Sequence, residues 1–402
     1  MSRAAEPARE APGSVRSHAV DVLRGVAVLA VMGSHLPFSV GTETGGGVFP
    51  GGWFTSIAGY GQYGVHLFLV ISGFCIHLRW ARLADPTVSI DFAGFWKRRL
   101  ARLYPPYLLV VLASFAAVLS LASVIGTPGN DSVGARFGYD STALLFTDAL
   151  LFTVMAQNLN GASHRVGNGP LWSLALEEQL YLLYFPLLRI RRCYGWRVVL
   201  GSTFAVTVGW RLLGLVLPWV EQGFGWFLLG PAFWFPWALG AYAVEVYLGH
   251  ERPPKWLMSP LFFVGLLAVG VLCDPPHGAS WELREVKLVL GHLVFAAAGF
   301  WLVLTWTSRE RTRGFRHSWL GDTLLRVGIM SYSLYLTHQP VFVISKRLAL
   351  AVGLPPAGAL AIRVIAAFAV AIVFYRWVEL PAVRYARHVR VPMRKAPTPH
   401  RG

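Results

Sequence analysis

Two ionisable side chains, Arg24 and His35, stand inside the first apolar run of the chain, residues 19–40. Eleven residues is close to three helical turns, so both project from one face, roughly 16 Å apart along the axis. Ionisable groups are costly in hydrocarbon, which directs the pair toward a bundle interior or a wet cavity. An imidazole there can exchange a proton near neutral pH, and a guanidinium can grip an anion. A plainer reading has Arg24 snorkel to the cytosolic surface and His35 pack at a helix end.

Other side chains are spaced for related chemistry. Arg98 and Arg102 share a face at i, i+4, with Arg99 and Arg102 adjacent at i, i+3, just before Tyr104-Pro105. Such a cluster can hold phosphate through bidentate guanidinium bonds, or can serve only as a topology signal. Ser173, Glu177, Tyr181 and Tyr184 form one polar stripe at the start of an apolar segment, with Trp172 and Glu178 beside it. Glu177 is placed either to pair with a buried arginine or to fix a histidine tautomer. Ser72 next to Gly73 offers a hydroxyl or simply a close helix contact. Ser331, Tyr335 and His338 align on one face, and Gln339-Pro340 is expected to kink or end that helix. His338 is placed there either to bond the freed carbonyls or to bind an acceptor. Arg376, Glu379 and Pro381 read as an ion-paired anchor at the end of the last span.

The elements that must carry these groups are membrane spans. Over 402 residues, 55% are hydrophobic and 14% charged, with sixteen tryptophans, which is not a soluble composition. Apolar windows fall near residues 19–40, 60–79, 104–125, 170–189, 197–219, 225–248, 257–273, 286–307, 327–345 and 358–378. Most approach the roughly 20 residues that cross a bilayer. The net charge of +16 sits in basic clusters between windows, where it sets topology and meets anionic headgroups, not nucleic acid. Ten spans place the N-terminus, the clusters at 79–102, 189–197, 252–255 and 309–316, and the basic tail on one side. An eleventh at 142–157 would invert the later clusters, so that window is expected to be re-entrant or interfacial on the outer side. Lys346 and Arg347 are then the one mild exception. The Pro/Gly-rich connections at 41–52, 127–129 and 274–278 fall outside.

The expected fold is therefore all-α and polytopic, with ten transmembrane helices and both termini cytosolic. Residues 1–18 form an N-terminal tail, 19–381 the membrane domain and 382–402 a basic tail. The first eighteen residues lack the pattern of a cleavable signal peptide. Cys75, Cys193 and Cys273 form no metal-ligand or disulfide spacing, and no metal is expected. No internal repeat supports an inverted-repeat transporter.

Together these motifs resemble the membrane-bound acyltransferase-3 family, typified by O-acetylases of bacterial surface polysaccharides. The resemblance runs over about residues 19–381. It rests on Asp21 to Gly25 followed by His35, Phe68 to Phe74, Arg99 and Arg102 with Tyr104-Pro105, and Leu171-Trp172-Ser173 through Glu177-Glu178 to Tyr181. Ser331 to His338 and Glu379 to Pro381 complete the set in order. Each motif is weak alone, and the ordered combination is specific.

The resemblance implies a plasma-membrane enzyme that takes an acyl group, by default acetyl, from cytosolic acyl-CoA to a hydroxyl on the far side. The acceptor would be a surface or exported carbohydrate, or else a glycosylated small molecule such as a macrolide. Arg24, Arg98, Arg99 and Arg102 would then hold the donor. His35 would act as general base or carry the acyl group itself, and Glu177 or Asp21 would orient an imidazole or guanidinium. Ser72, Trp172, Ser173, Glu178, Tyr181, Tyr335 and His338 would bind substrate or shape the site. Some members carry a soluble esterase domain after the last span. Its absence from this sequence leaves transfer to the membrane domain or to a separate extracytoplasmic partner. A transporter or flippase of envelope precursors, and an assembly subunit, are the rival classes.

Overall fold

The computed structural model describes residues 17–39, 58–81, 92–124, 142–159, 168–217, 225–274 and 280–389. The expectations for the tail before Ser17, for 41–52, 127–129 and 275–278, and for the tail beyond Val389 lie outside these residues.

Every regular element among the described residues is helical. The chain runs through α1 (His18–Ser39), α2 (Gly64–Ala81), α3 (Phe92–Val124), α4 (Thr142–Thr153) and α5 (Trp172–Val216). It continues through α6 (Trp234–Leu248), α7 (Pro260–Leu272), α8 (Trp281–Arg313) and α9 (Trp319–Ile329). It ends with α10 (Ser331–Ala351), α11 (Pro356–Phe374) and α12 (Leu380–His388). Among the described residues, six stretches are long and apolar enough to cross a membrane: His18–Leu36, Tyr60–Ala81, Ala93–Ala117, Gly169–Val216, Leu283–Arg313 and Pro356–His388. α4, at 12 residues, spans about 18 Å and cannot cross alone.

The long stretch through α5 is two rods. Gly195 has φ 76° and ψ −179°, a conformation open essentially to glycine alone, and it breaks the helix among Arg189, Arg191, Arg192 and Arg197. The sequence window 170–189 falls on the first rod, and the window 197–219 falls on the second as far as Val216. The window at 327–345 straddles a different break. Met330 separates α10 from the short α9, whose Trp319 and Leu320 are exposed.

Packing at the centre relies on backbone-to-backbone approach. A β-carbon on Gly25 or Gly328 would collide with the facing carbonyl of Leu324 or Asp21, and one on Gly73 or Gly240 with that of Trp237 or Val70. α1 thus lies directly on α9, and α2 on α6, as small residues permit in membranes. Ser72 and Gly73 therefore divide their duties: the glycine makes the helix contact and the hydroxyl turns elsewhere. Gly240→Ala is expected to cost about 1–3 kcal/mol. Gly201→Ala, whose β-carbon would meet open space, should be neutral or gain up to about 1 kcal/mol. Thermal unfolding in detergent separates the two, and equal midpoints would reject the close-approach account.

Two distant polar contacts complete the frame. The α1 N-terminus is capped from α8: Glu310 accepts from the His18 and Ala19 N–H groups at 2.8 and 3.2 Å and from Ser17 Oγ at 2.5 Å. Of the two outcomes expected at Pro340, a kink or an end, the structure removes the end, because α10 runs on to Ala351. Proline leaves the carbonyl four residues earlier without its helical donor, and Asn168 Nδ2 supplies one, at 2.8 Å from Leu336 O.

Candidate active site

A cavity of about 840 Å³ opens among α1, α2, α3, α5, α10 and the turn before α12. Among the described residues, six arginines line it, Arg24, Arg79, Arg98, Arg99, Arg102 and Arg387, against three carboxylates, Asp21, Glu177 and Glu379. The wall is thus electropositive by three formal charges.

The carboxylates aim the arginines. Arg24 Nη1 donates to Asp21 Oδ1 one turn earlier, at 3.1 Å, and its Nη2 reaches Cys75 Sγ at 3.3 Å. Arg99 Nη2 pairs with Glu177 Oε1 at 3.0 Å while its guanidinium lies 3.6 Å from the centroid of the Tyr181 ring. Ser72 donates to the same Glu177 oxygen at 2.5 Å, and Trp237 Nε1 donates to Ser72 Oγ at 3.3 Å. Glu177 and Asp21 both therefore orient guanidinium groups, the choice the sequence left open. Arg102 lies within the electrostatic reach of Arg24, Arg99 and Glu379.

Glu379 does not pair with Arg376 as the ion-paired anchor expected from sequence. A π-helical turn at Tyr375–Glu379 carries it inward. There it is buried and accepts from Ser333 N at 3.0 Å and Ser333 Oγ at 2.5 Å, while Arg376 stays exposed.

His35 and His338 meet beyond the far end of the cavity. Their rings are 5.2 Å apart, with His338 Nε2 at 3.3 Å from His35 Nδ1. His35 Nδ1 also lies 2.8 Å from Val31 O, and His338 Nδ1 2.8 Å from Tyr335 O. Carbonyls only accept, so the network assigns the Nδ1–H tautomer to both neutral rings. His35 Nε2 then keeps its lone pair, and His338 Nε2 presents its own to the His35 Nδ1–H. The carbonyls that His338 bonds, Tyr335 and Leu334, are not the one that Pro340 releases.

Tyr335 joins the two parts. It lines the cavity, and its ring centroid is 5.8 Å from that of His338. Its hydroxyl donates to Pro170 O at 2.8 Å and, 2.5 Å away, accepts from Ser173 Oγ.

The structure thus brings Asp21, Arg24, Ser72, Arg98, Arg99, Arg102, Ser173, Glu177 and Tyr335 to one cavity, with Tyr181 behind Arg99. His35 and His338 touch each other but do not line it. Trp172 and Glu178 go elsewhere. Trp172 packs 5.8 Å from Phe233, and Glu178 lines a separate hollow of about 310 Å³ facing Met155 and Leu159. Adjacent carboxylates on a helix point about 100° apart, which sends Glu177 and Glu178 to different cavities. Sequence reading missed Arg79, Cys75 and Arg387, which sit in the cavity without a distinctive spacing.

Fold and cavity together define a multi-pass helical membrane protein with a cationic cavity and a histidine pair at its end. The chain belongs to the acyltransferase-3 family, whose profile, described as an acyltransferase domain, matches residues 17–376. It is 24% identical over 380 residues to the peptidoglycan O-acetyltransferase OatA of Listeria monocytogenes, covering 90% of this chain and 55% of the relative. It is 25% identical over 382 residues to the putative peptidoglycan O-acetyltransferase YrhL of Bacillus subtilis, covering 90% and 54%. A shorter match, 35% over 129 residues, is to the O-acetyltransferase OatA of Staphylococcus aureus and covers 32% of this chain and 20% of that one. The chain spans about half the length of the first two relatives. No solved structure matches it.

Proposed function

We propose that the protein is a membrane O-acyltransferase that moves an acyl group, acetyl by default, from acyl-CoA to a hydroxyl of a cell-envelope or exported carbohydrate. The relatives named as peptidoglycan O-acetyltransferases support the acceptor class. The observation that carries the donor is the surplus of six arginines over three carboxylates around one cavity. A wall of that charge suits a ligand with several negative phosphates, which guanidinium groups bind bidentately. In this reading both termini and the cavity mouth face the cytosol across the plasma membrane, with ten spans and α4 on the outer side, an arrangement that the positions of the basic clusters support. The transporter and assembly-subunit readings gain nothing from the family.

In this mechanism Arg98, Arg99 and Arg102 hold the phosphates, Arg24 the inner part of the donor. The thioester carbonyl lies near Tyr335, and the acceptor hydroxyl approaches from the His35 side. His35 Nε2 takes the hydroxyl proton as the oxygen attacks the carbonyl carbon. The C–S bond then breaks, and the coenzyme A thiolate takes the proton back from the imidazolium. The lone pair of His338 Nε2, facing His35 Nδ1–H, steadies the positive charge that His35 acquires in between.

Arg102→Ala tests the donor. A charged hydrogen bond to phosphate contributes about 1.5–3 kcal/mol, so in proteoliposomes the KM for acetyl-CoA should rise roughly 10- to 100-fold with kcat within a few-fold. An unchanged KM would remove coenzyme A from the cavity. Mass spectrometry of envelope glycans from cells with and without the protein would then identify acyl group and acceptor.

A further inference from the structure

A second group of ionisable side chains lies outside the cavity and has no part in the mechanism above. Arg211, on the second rod of α5, is only 2% exposed. Its Nε donates to Ala232 O at 3.2 Å, and its guanidinium lies 4.9 Å from the centroid of the Phe233 ring. Among the described residues, one of its terminal nitrogens has no hydrogen-bond partner. Glu285 acts on it electrostatically, yet among the described residues no carboxylate comes within ion-pairing distance. Within its electrostatic reach, His66 Nε2 and His292 Nδ1 are 2.7 Å apart, and the buried Nδ1 of His66 is likewise unbonded among the described residues. Both imidazoles pack against Phe233, each at 5.7 Å, so one aromatic ring supports all three groups.

A guanidinium does not lose its proton, and burying it without a hydrogen-bonded counter-charge is heavily penalised. Unmet buried donors in a native fold call for a partner. If His292 donates to His66, the free His66 Nδ1 carries a proton, and both open nitrogens are then donors. We propose that Arg211 and His66 bind a small monovalent anion, a halide or a short carboxylate. The anion neutralises Arg211 and secures the turn Gly230–Phe233. Phe233 packs against Trp172, whose neighbour Ser173 bonds Tyr335 at the end of the cavity. The proposal stands independently of the donor assignment.

The test uses the full chain in detergent, exchanged into sodium gluconate, with chloride or acetate titrated in at constant ionic strength. The unfolding midpoint should rise by a few degrees and saturate, and the more effective salt identifies the class of anion. Arg211→Met should abolish the response and Arg102→Ala should leave it intact. Glu285→Gln, by removing a competing negative charge, should lower the half-saturating concentration. No saturable rise, a rise that survives Arg211→Met, or one lost in Arg102→Ala overturns the proposal. Should Arg211→Met fail to fold, His66→Phe keeps the guanidinium and removes one donor. It should raise the half-saturating concentration about tenfold, as expected for one charged hydrogen bond, and an unchanged value also overturns the site.

Discussion

His35→Ala should lower acyl transfer about 10²- to 10⁴-fold, the usual contribution of a positioned general base, while the protein stays folded. The ring is partly exposed and its hydrogen bonds are to the Val31 carbonyl and to His338, so its loss unties no distant element. The drop should fall on kcat with little change in the KM for donor, because His35 does not line the arginine cavity. His338→Ala should be milder, since that ring only orients His35 and steadies its charge, while His338→Gln keeps an acceptor near Nδ1–H and should recover part of the loss. Turnover by His35→Ala at the wild-type rate would sink the general-base assignment. A larger loss in His338→Ala than in His35→Ala would exchange the two roles.

The largest expected effect on stability lies away from the site. Glu245 on α6 is buried to 1% exposure and accepts from His77 Nε2 at 2.6 Å, Arg191 Nη2 at 2.8 Å and His250 Nδ1 at 2.8 Å. With Nε2–H committed to the carboxylate, neutral His77 accepts at Nδ1 from the Tyr184 hydroxyl, 2.9 Å away. One carboxylate thus ties α2, the first rod of α5 and the end of α6. Glu245→Ala strands His77 and Arg191 together and should cost about 3–5 kcal/mol, with the half-exposed His250 contributing least and Arg191, a third exposed, less than His77. Glu245→Gln keeps the shape and part of the bonding and should cost less. The unfolding midpoint in detergent measures the loss, and activity per folded molecule should not change. A wild-type midpoint for Glu245→Ala would show that the network carries no stability.

Much of the site was legible in sequence for a definite reason. Helical period places Arg24 and His35 on one face, and puts Ser173, Glu177 and Tyr181 on another. Apolar surroundings make each such group expensive unless it has partners inside. The partners themselves were not legible, because they come from other helices. Nothing local says that Ser72 meets Glu177, 105 residues away, or that Ser333 receives Glu379. The π-helical turn that rotates Glu379 inward has no sequence signature comparable to a proline or a glycine. His77 with Glu245, and His66 with Arg211, also went unread. Each is a lone polar residue in an apolar run until the bundle assembles.

By itself the sequence determined the membrane-bound helical class, the faces that carry the polar groups and the family, because hydropathy, helical period and motif order are all local quantities. Only the tertiary structure decided which cavity each group serves. It set Glu177 and Asp21 on guanidinium groups, sent Glu178 and Trp172 to other surroundings, and paired His35 with His338 beyond Tyr335. The physical reason is that a costly buried charge is settled by its nearest opposite group or donor, and in this bundle those neighbours are mostly on other helices.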